Sequence, residues 1–315
     1  MSGALVTLAV PCRTDEPSLG GTLDTALASW RRAPQAARCG LEVLVCLNGA
    51  DAPGPRAALE RFAAAAGAAL DTRAADAARA AASPAPGAVA VSALLTPRVG
   101  KPIAWNVLRG AARAPLALFM DADVGFGPET FGLLLDTLEA HPAAAIATAR
   151  TTCAPRPGLF ESIMAAPYGI EFPNISPQLY AARLAALPAT IPEDLLEPER
   201  WIELVVGREQ VVRAPGAEVA VRLPATLADF FRQRIRIEMG KVQFTHEYPG
   251  IESRGRAQPG LRTVLASLGH GARARLAAYL ALRSVAHGLA WWRYRRGRTA
   301  GIWRQAATTK RWDRA

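Results

Sequence analysis

Lysine is almost absent from this chain: Lys101, Lys241 and Lys310 are three of 37 basic residues in 315, and the rest are arginine. Asparagine is as rare, with Asn48, Asn106 and Asn174. In a composition that drifts toward Ala and Arg, such exceptions mark places to look for specific chemistry. Cysteine is also scarce. Cys12, Cys39, Cys46 and Cys153 are scattered without a CxxC pair, three of them in or beside apolar runs. That pattern argues against a cysteine metal site or a disulfide framework, and for buried thiols in a reducing, cytoplasmic setting. No uninterrupted apolar run reaches about 18 residues, so a membrane-spanning helix is not expected. Met1-Ser2-Gly3 leads directly into a strand-like run. It has no basic n-region or cleavable apolar segment, so no secretory signal is expected. There is no internal repeat.

Hydrophobic residues and positive charge are plentiful. Half of the chain is hydrophobic, and 315 residues suffice for one large α/β domain or a domain with an appendage. The formal charge of +10 is unevenly spread: from Gly250 onward there are fourteen Arg or Lys against Glu252 and Asp313, which leaves residues 1–249 at −2. A near-neutral body with a basic tail suggests an anionic partner for the tail.

Short apolar runs alternate with helical patterns through the first half. Leu5–Val10, Leu41–Leu47, Val89–Leu95, Leu116–Met120 and Ala144–Thr148 read as strands, each followed by a break and most by a helix. Ser18 is placed to cap a helix to about Arg32, Pro55 opens a second, Gly100-Lys101-Pro102 a third and Pro128 a fourth. This rhythm predicts a mostly parallel sheet flanked by helices. Residues 71–88 read as a loose helix and a loop. After Thr151 prolines break the rhythm and an irregular second half follows. It comprises a strand and short helix over Ser176–Leu187, a helix from about Leu195 to Val206, a hairpin of Gln210–Arg213 and Glu218–Arg222 around Pro215-Gly216, and a helix over Ala225–Lys241.

The stretch around which these elements are organised is Ala117-Leu118-Phe119-Met120-Asp121-Ala122-Asp123-Val124. A buried strand runs into two carboxylates, and ligands of open α/β sheets bind just past such strand ends. Two like charges held close together need a cation to offset them, and Mg2+ or Mn2+ does so while bridging phosphates. The plainer alternative is a strand ending in a polar turn.

Five motifs in order decide between these readings. Val10-Pro11-Cys12-Arg13-Thr14-Asp15-Glu16, Leu47-Asn48-Gly49-Ala50, Gly100-Lys101-x-x-Ala104-x-Asn106, Phe119-Met120-Asp121-Ala122-Asp123 and Glu193-Asp194 resemble, over roughly residues 4–245, the family 2 glycosyltransferases of the GT-A fold. The resemblance implies a Rossmann-like GT-A domain over 1–250, with a nucleotide-sugar half (1–150) and an acceptor half (151–250), followed by a helical tail over 251–315. It implies an inverting transfer from a UDP-sugar or GDP-sugar to a saccharide or lipid-linked acceptor, which the lack of membrane-spanning runs and Ile237 (below) make non-processive. Asp123 would then contact a divalent cation, and Asp121 the cation or the donor ribose. Pro11, Arg13, Glu16, Asn48, Lys101 and Asn106 fall in donor-binding motifs. Glu16 and Asn48 can meet base or ribose, or be a loop residue and a turn residue. Lys101 can meet a phosphate or lie on the surface, and Asn106 can meet the donor or satisfy loop backbone.

Inversion needs a base opposite the leaving group. Asp194, with Glu193 beside it, is the candidate, unless the pair only caps the helix that follows. Gln233-Arg234-Ile235-Arg236-Ile237 is similar to the Gln-x-x-Arg-Trp motif of processive members, with Ile237 in place of Trp, which leaves Gln233 and Arg236 as acceptor or diphosphate residues. His246 lies where some GT-A enzymes place a late metal or phosphate ligand; a surface histidine is the alternative.

In the tail, the apolar run Leu276–Leu282 and Ala290-Trp291-Trp292 are flanked by Arg273, Arg275, Arg293, Arg295 and Arg296. This suits either a helix lying on an anionic membrane surface through residues 273–298, peripheral to the inner face of the cytoplasmic membrane, or a helix docked on the domain. Nucleic-acid binding is not expected, because no recognised motif accompanies the charge. Two other functions compete: a sugar nucleotidyltransferase on a related sheet, and a non-catalytic member of the family. The first needs a glycine-rich loop that Pro11–Glu16 lacks; the acidic residues Asp121, Asp123 and Asp194 speak against the second.

Overall fold

A computed structural model describes residues 4–49, 53–76, 83–153, 158–170, 174–252, 265–266 and 268–297. In chain order the elements are β1 (Ala4–Arg13), α1 (Leu19–Arg32), β2 (Cys39–Asn48), α2 (Pro53–Ala65), β3 (Leu70–Ala74), β4 (Val89–Thr96), α3 (Lys101–Ala111), β5 (Leu116–Met120), β6 (Gly125–Phe126), α4 (Thr130–Ala140) and β7 (Ile146–Cys153). There follow α5 (Leu159–Ala165), β8 (Leu179–Arg183), α6 (Pro198–Val206), β9 (Val211–Val221), α7 (Leu227–Glu247), α8 (Pro249–Glu252) and α9 (His270–Arg295). The strands form one sheet in the order β3-β4-β2-β1-β5-β8-β7-β9-β6. It is parallel from β3 to β5 and between β7 and β9; β8 runs against both its neighbours, and β6 against β9.

Side-chain alternation in β5 shows why the sheet is covered on both faces. Leu118 and Met120 pack with Leu23, Trp30, Phe62 and Phe131 of α1, α2 and α4. Ala117 and Phe119 pack on the opposite face with Trp105 and Leu108 of α3, Ile202 of α6 and Phe244 of α7. Trp105, Phe119 and Tyr180 stack in series at 5.6 and 5.1 Å between ring centroids, and the Trp105 indole donates to the Tyr180 hydroxyl at 3.1 Å. This stack fixes the strand from which Asp121 emerges.

Three sequence expectations are corrected. Residues 70–74 form an edge strand beside β4, not a helix; alanine-rich sequence carries no period, and strand pairing decides. Residues 211–221 do not turn back on themselves. Both halves run parallel to β7, and the register breaks between Thr148–Arg213 and Arg150–Glu218. Pro215-Gly216 is thus a bulge, with Gly216 at φ 76°, a conformation that favours glycine. The helix expected from Leu195 begins at Pro198. Glu193 and Asp194 therefore lie upstream of it in a loop and do not cap it.

The tail helix docks. Leu276, Tyr279, Ala286 and Ala290 of α9 are buried along one stripe, and the last three pack with Phe230, Ile235 and Met239 of α7 and Met164 of α5. Among the described residues, no helix is long and apolar enough to cross a membrane.

Candidate functional site

The carboxyl ends of β1, β2, β4 and β5 lie side by side, and the sequence motifs sit on them. Lys101, the first residue of α3, reaches across to three groups: Asp121 Oδ1 at 2.8 Å, Glu199 Oε1 at 2.7 Å and the Pro177 carbonyl at 3.0 Å. Burial alone would lower the lysine pKa; the two carboxylates outweigh it and hold it above its ordinary value. The Asp121 carboxyl is pushed up to about 6 by burial, with Asp123 and Glu199 adding to the rise and Lys101 opposing it. Its backbone N–H donates to the Gln178 carbonyl at 2.9 Å, which ties β5 to the segment entering β8.

Arg236 of α7 faces the same cluster. Burial lowers its pKa, and Asp121, Asp123, Glu199 and Glu197 oppose the lowering. Gln233 is half-buried one turn earlier on the same helix. Glu197 carries a raised pKa, first from burial and then from Glu238, against Lys241, Arg200 and Arg234. The side chain of Glu197 is seated against Gly240 of α7, where a Cβ would come within 2.6 Å of its Cγ. Glu197 pairs with Arg200 at 3.5 Å, and around Lys101 and Arg236 the carboxylates of Asp121, Asp123 and Glu199 outnumber the two cations. The excess is negative, the condition under which a hard divalent cation binds.

The other candidates have identifiable posts. Arg13 forms a two-pronged pair with Asp15, at 2.8 and 2.9 Å. Glu16 is buried, and its Oε1 accepts from the Ser18 N–H at 3.1 Å, at the start of α1. Pro11 lies two residues before the end of β1 and is half-buried. Asn48 uses both ends of its amide on one residue: Nδ2 donates to the Gly100 carbonyl at 2.8 Å, and Oδ1 accepts from the Gly100 N–H at 2.9 Å. Asn106 does the same with Ile191, at 2.9 and 2.8 Å. These two asparagines bind the β2 end and the 191 loop to α3. A carboxylate would not serve, since its two oxygens only accept, whereas the amide offers a donor and an acceptor side by side to the C=O and N–H of one residue.

Glu193 pairs with Arg98, with one contact at 3.0 Å. The Asp194 carbonyl accepts from Gln243 Nε2 at 3.1 Å, and its carboxylate is hydrogen-bonded by Tyr248, whose phenol is raised by burial first and then by Asp194. The carboxylates paired with Lys101 are therefore Asp121 and Glu199, while Glu193 and Asp194 lie on the exposed loop that Asn106 clamps. His246 is exposed on the last turn of α7, its ring stacked on Tyr294 of α9 at 5.7 Å. Among the described residues, no three His, Cys, Asp or Glu side chains converge enough to hold a metal by themselves.

Sequence reasoning missed Glu197 and Glu199. The available signal was Glu197-Pro198-Glu199, two acids around a proline suited to a first helical turn. Starting the helix at Leu195 hid it.

No protein-family model matches the chain, and no curated protein matches it. Among solved structures it is similar to the mannosyltransferase PcManGT from Pyrobaculum calidifontis, in complex with GDP-Man and Mn2+. The identity is 19%, over 96% of this chain and 82% of that one, with a TM-score of 0.55. S. aureus TarS 1-349 in complex with UDP is 14% identical over 93% and 91% of the two chains, with a TM-score of 0.48. Mannosyl-3-phosphoglycerate synthase from Rubrobacter xylanophilus is 17% identical over 81% and 77%, with a TM-score of 0.46. The last two scores are too low to bear on the fold. The first shows that the chain has the GT-A arrangement of a mostly parallel sheet between helices.

Proposed function

We propose that the chain is a nucleotide-sugar-dependent glycosyltransferase. The observation that carries this reading is the buried, net-negative cluster at the end of β5, where Asp121, Asp123 and Glu199 meet Lys101 and Arg236. The donor set suits Mg2+ or Mn2+: hard carboxylate oxygens, too few to complete a coordination sphere, as in sites that share their cation with a substrate diphosphate. Such an ion, held by Asp121 and Asp123, supplies Lewis-acid stabilisation of a departing diphosphate. The fold likeness to a mannosyltransferase structure containing GDP-Man and Mn2+ supports a nucleotide-diphosphate sugar as donor, a GDP-sugar or a UDP-sugar.

The residue roles follow from charge and position. Glu199 keeps Lys101 protonated and extended along the site. Lys101 and Arg236 then supply two positive charges for the phosphate oxygens as the leaving group gains charge. Asn48 fixes the start of α3, and with it Lys101. Asp194 is the proposed base, taking the acceptor hydroxyl proton in a single inverting displacement, with Tyr248 orienting its carboxylate and Glu193 anchored aside by Arg98. Gln233 stands with Arg236 on the acceptor side. With Ile237 in place of the Trp that would stack on a growing chain, one sugar is added per encounter to a saccharide or lipid-linked acceptor.

A thermal-shift screen of nucleotide-diphosphate sugars with and without Mn2+ tests the reading, because a ligand of the folded state raises the melting temperature with concentration. The expected result is a Mn2+-dependent rise with one donor, lost in Asp123→Asn while the ligand-free melt is unchanged. A flat response to every UDP- and GDP-sugar would sink it.

The outer face of α9 supports a peripheral location on an anionic membrane. Val285, Leu289 and Trp292 follow at i, i+4 and i+7, each at least 41% exposed, with Trp291 beside them. Arg295 and Arg296 lie over the Trp291 and Trp292 rings at 4.0 and 4.3 Å. Co-sedimentation with phosphatidylserine-containing vesicles but not with neutral ones is the expected outcome; absence from both pellets removes the proposal.

A further inference from the structure

Between Ile191 and Glu197 the chain forms neither helix nor strand, so side chains must satisfy its backbone. Two amides do so, from two helices. Asn106 of α3 takes both backbone groups of Ile191. Gln243 of α7 takes two groups that straddle Leu195: its Oε1 accepts from the Leu196 N–H at 3.1 Å, and its Nε2 donates to the Asp194 carbonyl at 3.1 Å. The second Nε2 proton goes to Glu247 Oε2 at 3.0 Å, one turn along α7. Gln243 is buried, and its amide fits one way round. Turned over, Nε2 would face the Leu196 N–H, and Oε1 would face a carbonyl and a carboxylate. Leu195, between the two grips, is buried in the same core as Phe244.

Glu247, which fixes this orientation, is itself held from the tail. It is exposed, yet both of its oxygens are engaged: Oε2 by Gln243, and Oε1 by the Tyr294 hydroxyl of α9. The Tyr294 phenol is pushed up to about 12, by burial first and then by Glu247, so it keeps its proton and is the donor. Its ring is seated on His246. Three hydrogen bonds therefore lead from the last turn of α9 through Glu247 and Gln243 to the Asp194 carbonyl. Tyr248, the residue after Glu247, meets the Asp194 carboxylate. Backbone and side chain of Asp194 are thus both held from the end of α7.

We propose that Gln243 and Tyr294 are positioning residues for Asp194, so that the tail helix completes the acceptor side of the site as well as covering α7. The proposal rests on Asp194 as the base; the clamp on its loop does not. Docking of α9 and positioning of Asp194 can be separated, because the helix is seated by its buried stripe and by Glu238. Tyr294→Phe leaves those contacts and the ring on His246 in place, and removes the one proton that Glu247 receives from α9.

Hydrogen exchange on the whole chain, read by mass spectrometry, tests the clamp. Tyr294→Phe should speed exchange over residues 190–197 by roughly two- to tenfold, the factor that one lost hydrogen bond corresponds to. Exchange over 276–290 should be unchanged. Gln243→Met keeps the length and removes both polar atoms, so its loop should exchange faster still. Donor hydrolysis, with GDP-mannose and UDP-glucose as probes, Mn2+ present and water as acceptor, tests the positioning. Both variants should lower kcat several-fold at unchanged KM for the donor. Loop exchange unchanged in both variants overturns the proposal, and so does a faster loop with kcat intact. A fall in kcat accompanied by faster exchange over 276–290 and a raised KM also overturns it, since Tyr294 would then serve only to seat the helix. Faster loop exchange together with a flat nucleotide-sugar screen leaves the clamp standing and removes the transferase reading.

Discussion

Replacing Glu238 by glutamine should loosen α9 from α7. Glu238 is 1% exposed and receives Lys241 Nζ at 2.9 Å, Arg234 Nε at 2.9 Å, Arg283 Nε at 3.0 Å and His287 Nδ1 at 3.1 Å. Arg234 and Lys241 come from α7, Arg283 and His287 from α9, so one carboxylate joins the two helices. Burial by itself would raise its pKa; Lys241 and then Arg234 reverse this and hold it at about 2, against an ordinary 4.5. That gap is worth about 3 kcal/mol at ~1.4 kcal/mol per pH unit. It matches the ~3–5 kcal/mol typical of removing one partner of a buried ion pair. Lys241 is in the opposite position. Burial, and then the like charge of Arg234, pull it down to about 8 in spite of Glu238. The cations outnumber the carboxylate, so the carboxylate gains from the cluster and Lys241 does not. Glu238→Gln should therefore cost about 3 kcal/mol, while Lys241→Met should cost less than ~1 kcal/mol.

The pH dependence has a definite sign. Glu238 titrates lower in the fold than unfolded, so its contribution is complete above about pH 4.5 and is lost as pH falls toward 2. Lys241 also titrates lower in the fold, so the penalty on its charged form is relieved as pH rises from about 8 toward 10.5. Stability from this cluster rises with pH through both windows. Urea unfolding followed by tryptophan fluorescence, with hydrogen exchange over 270–295, measures it. Equal losses for Glu238→Gln and Lys241→Met, or an acid window that survives Glu238→Gln, would refute the reasoning.

Two further substitutions probe the site. Asn106→Ala removes two hydrogen bonds to Ile191 and should cost about 1–3 kcal/mol at ~0.5–1.5 each. By freeing the loop with Glu193 and Asp194 it should lower kcat while the Mn2+-dependent thermal shift with donor persists; an unchanged kcat contradicts it. Gly240→Ala ought to stabilise a helix interior by ~1 kcal/mol. Here the new Cβ meets Glu197 Cγ at 2.6 Å, so a net loss of about 1–2 kcal/mol is expected, and a rise in melting temperature would show that Glu197 is not wedged there.

The first half of the fold was legible because its strands are apolar runs long enough to be buried and its helices start within two residues of the signals at Ser18, Pro102 and Pro128. Asp121 was found as a carboxylate at the end of an apolar run, Lys101 as a rare lysine opening a helix and Arg236 through the Gln-x-x-Arg motif, and the structure brings them together. Asn106 proved to serve the loop backbone, the structural half of its two readings. What failed were segments where a local signal has two tertiary uses. Pro215-Gly216 marks a bend, yet only the partner strand decides between hairpin and bulge. Residues 70–74 have no period of their own and become a strand because β4 offers an edge. Glu199 was hidden by a helix start drawn three residues early, and its role depends on Lys101 arriving from a helix about one hundred residues away in sequence.

The strip Ser176-Pro177-Gln178, at the entry to β8, joins the two strands that flank β8. Its Ser176 hydroxyl meets Thr151 of β7, while the Pro177 and Gln178 carbonyls accept from Lys101 and from the Asp121 N–H just past β5. A diphosphate that draws Lys101 away from Pro177 therefore pulls on a strand two places along the sheet, and amide exchange over Thr148–Cys153 with and without a donor would register the pull.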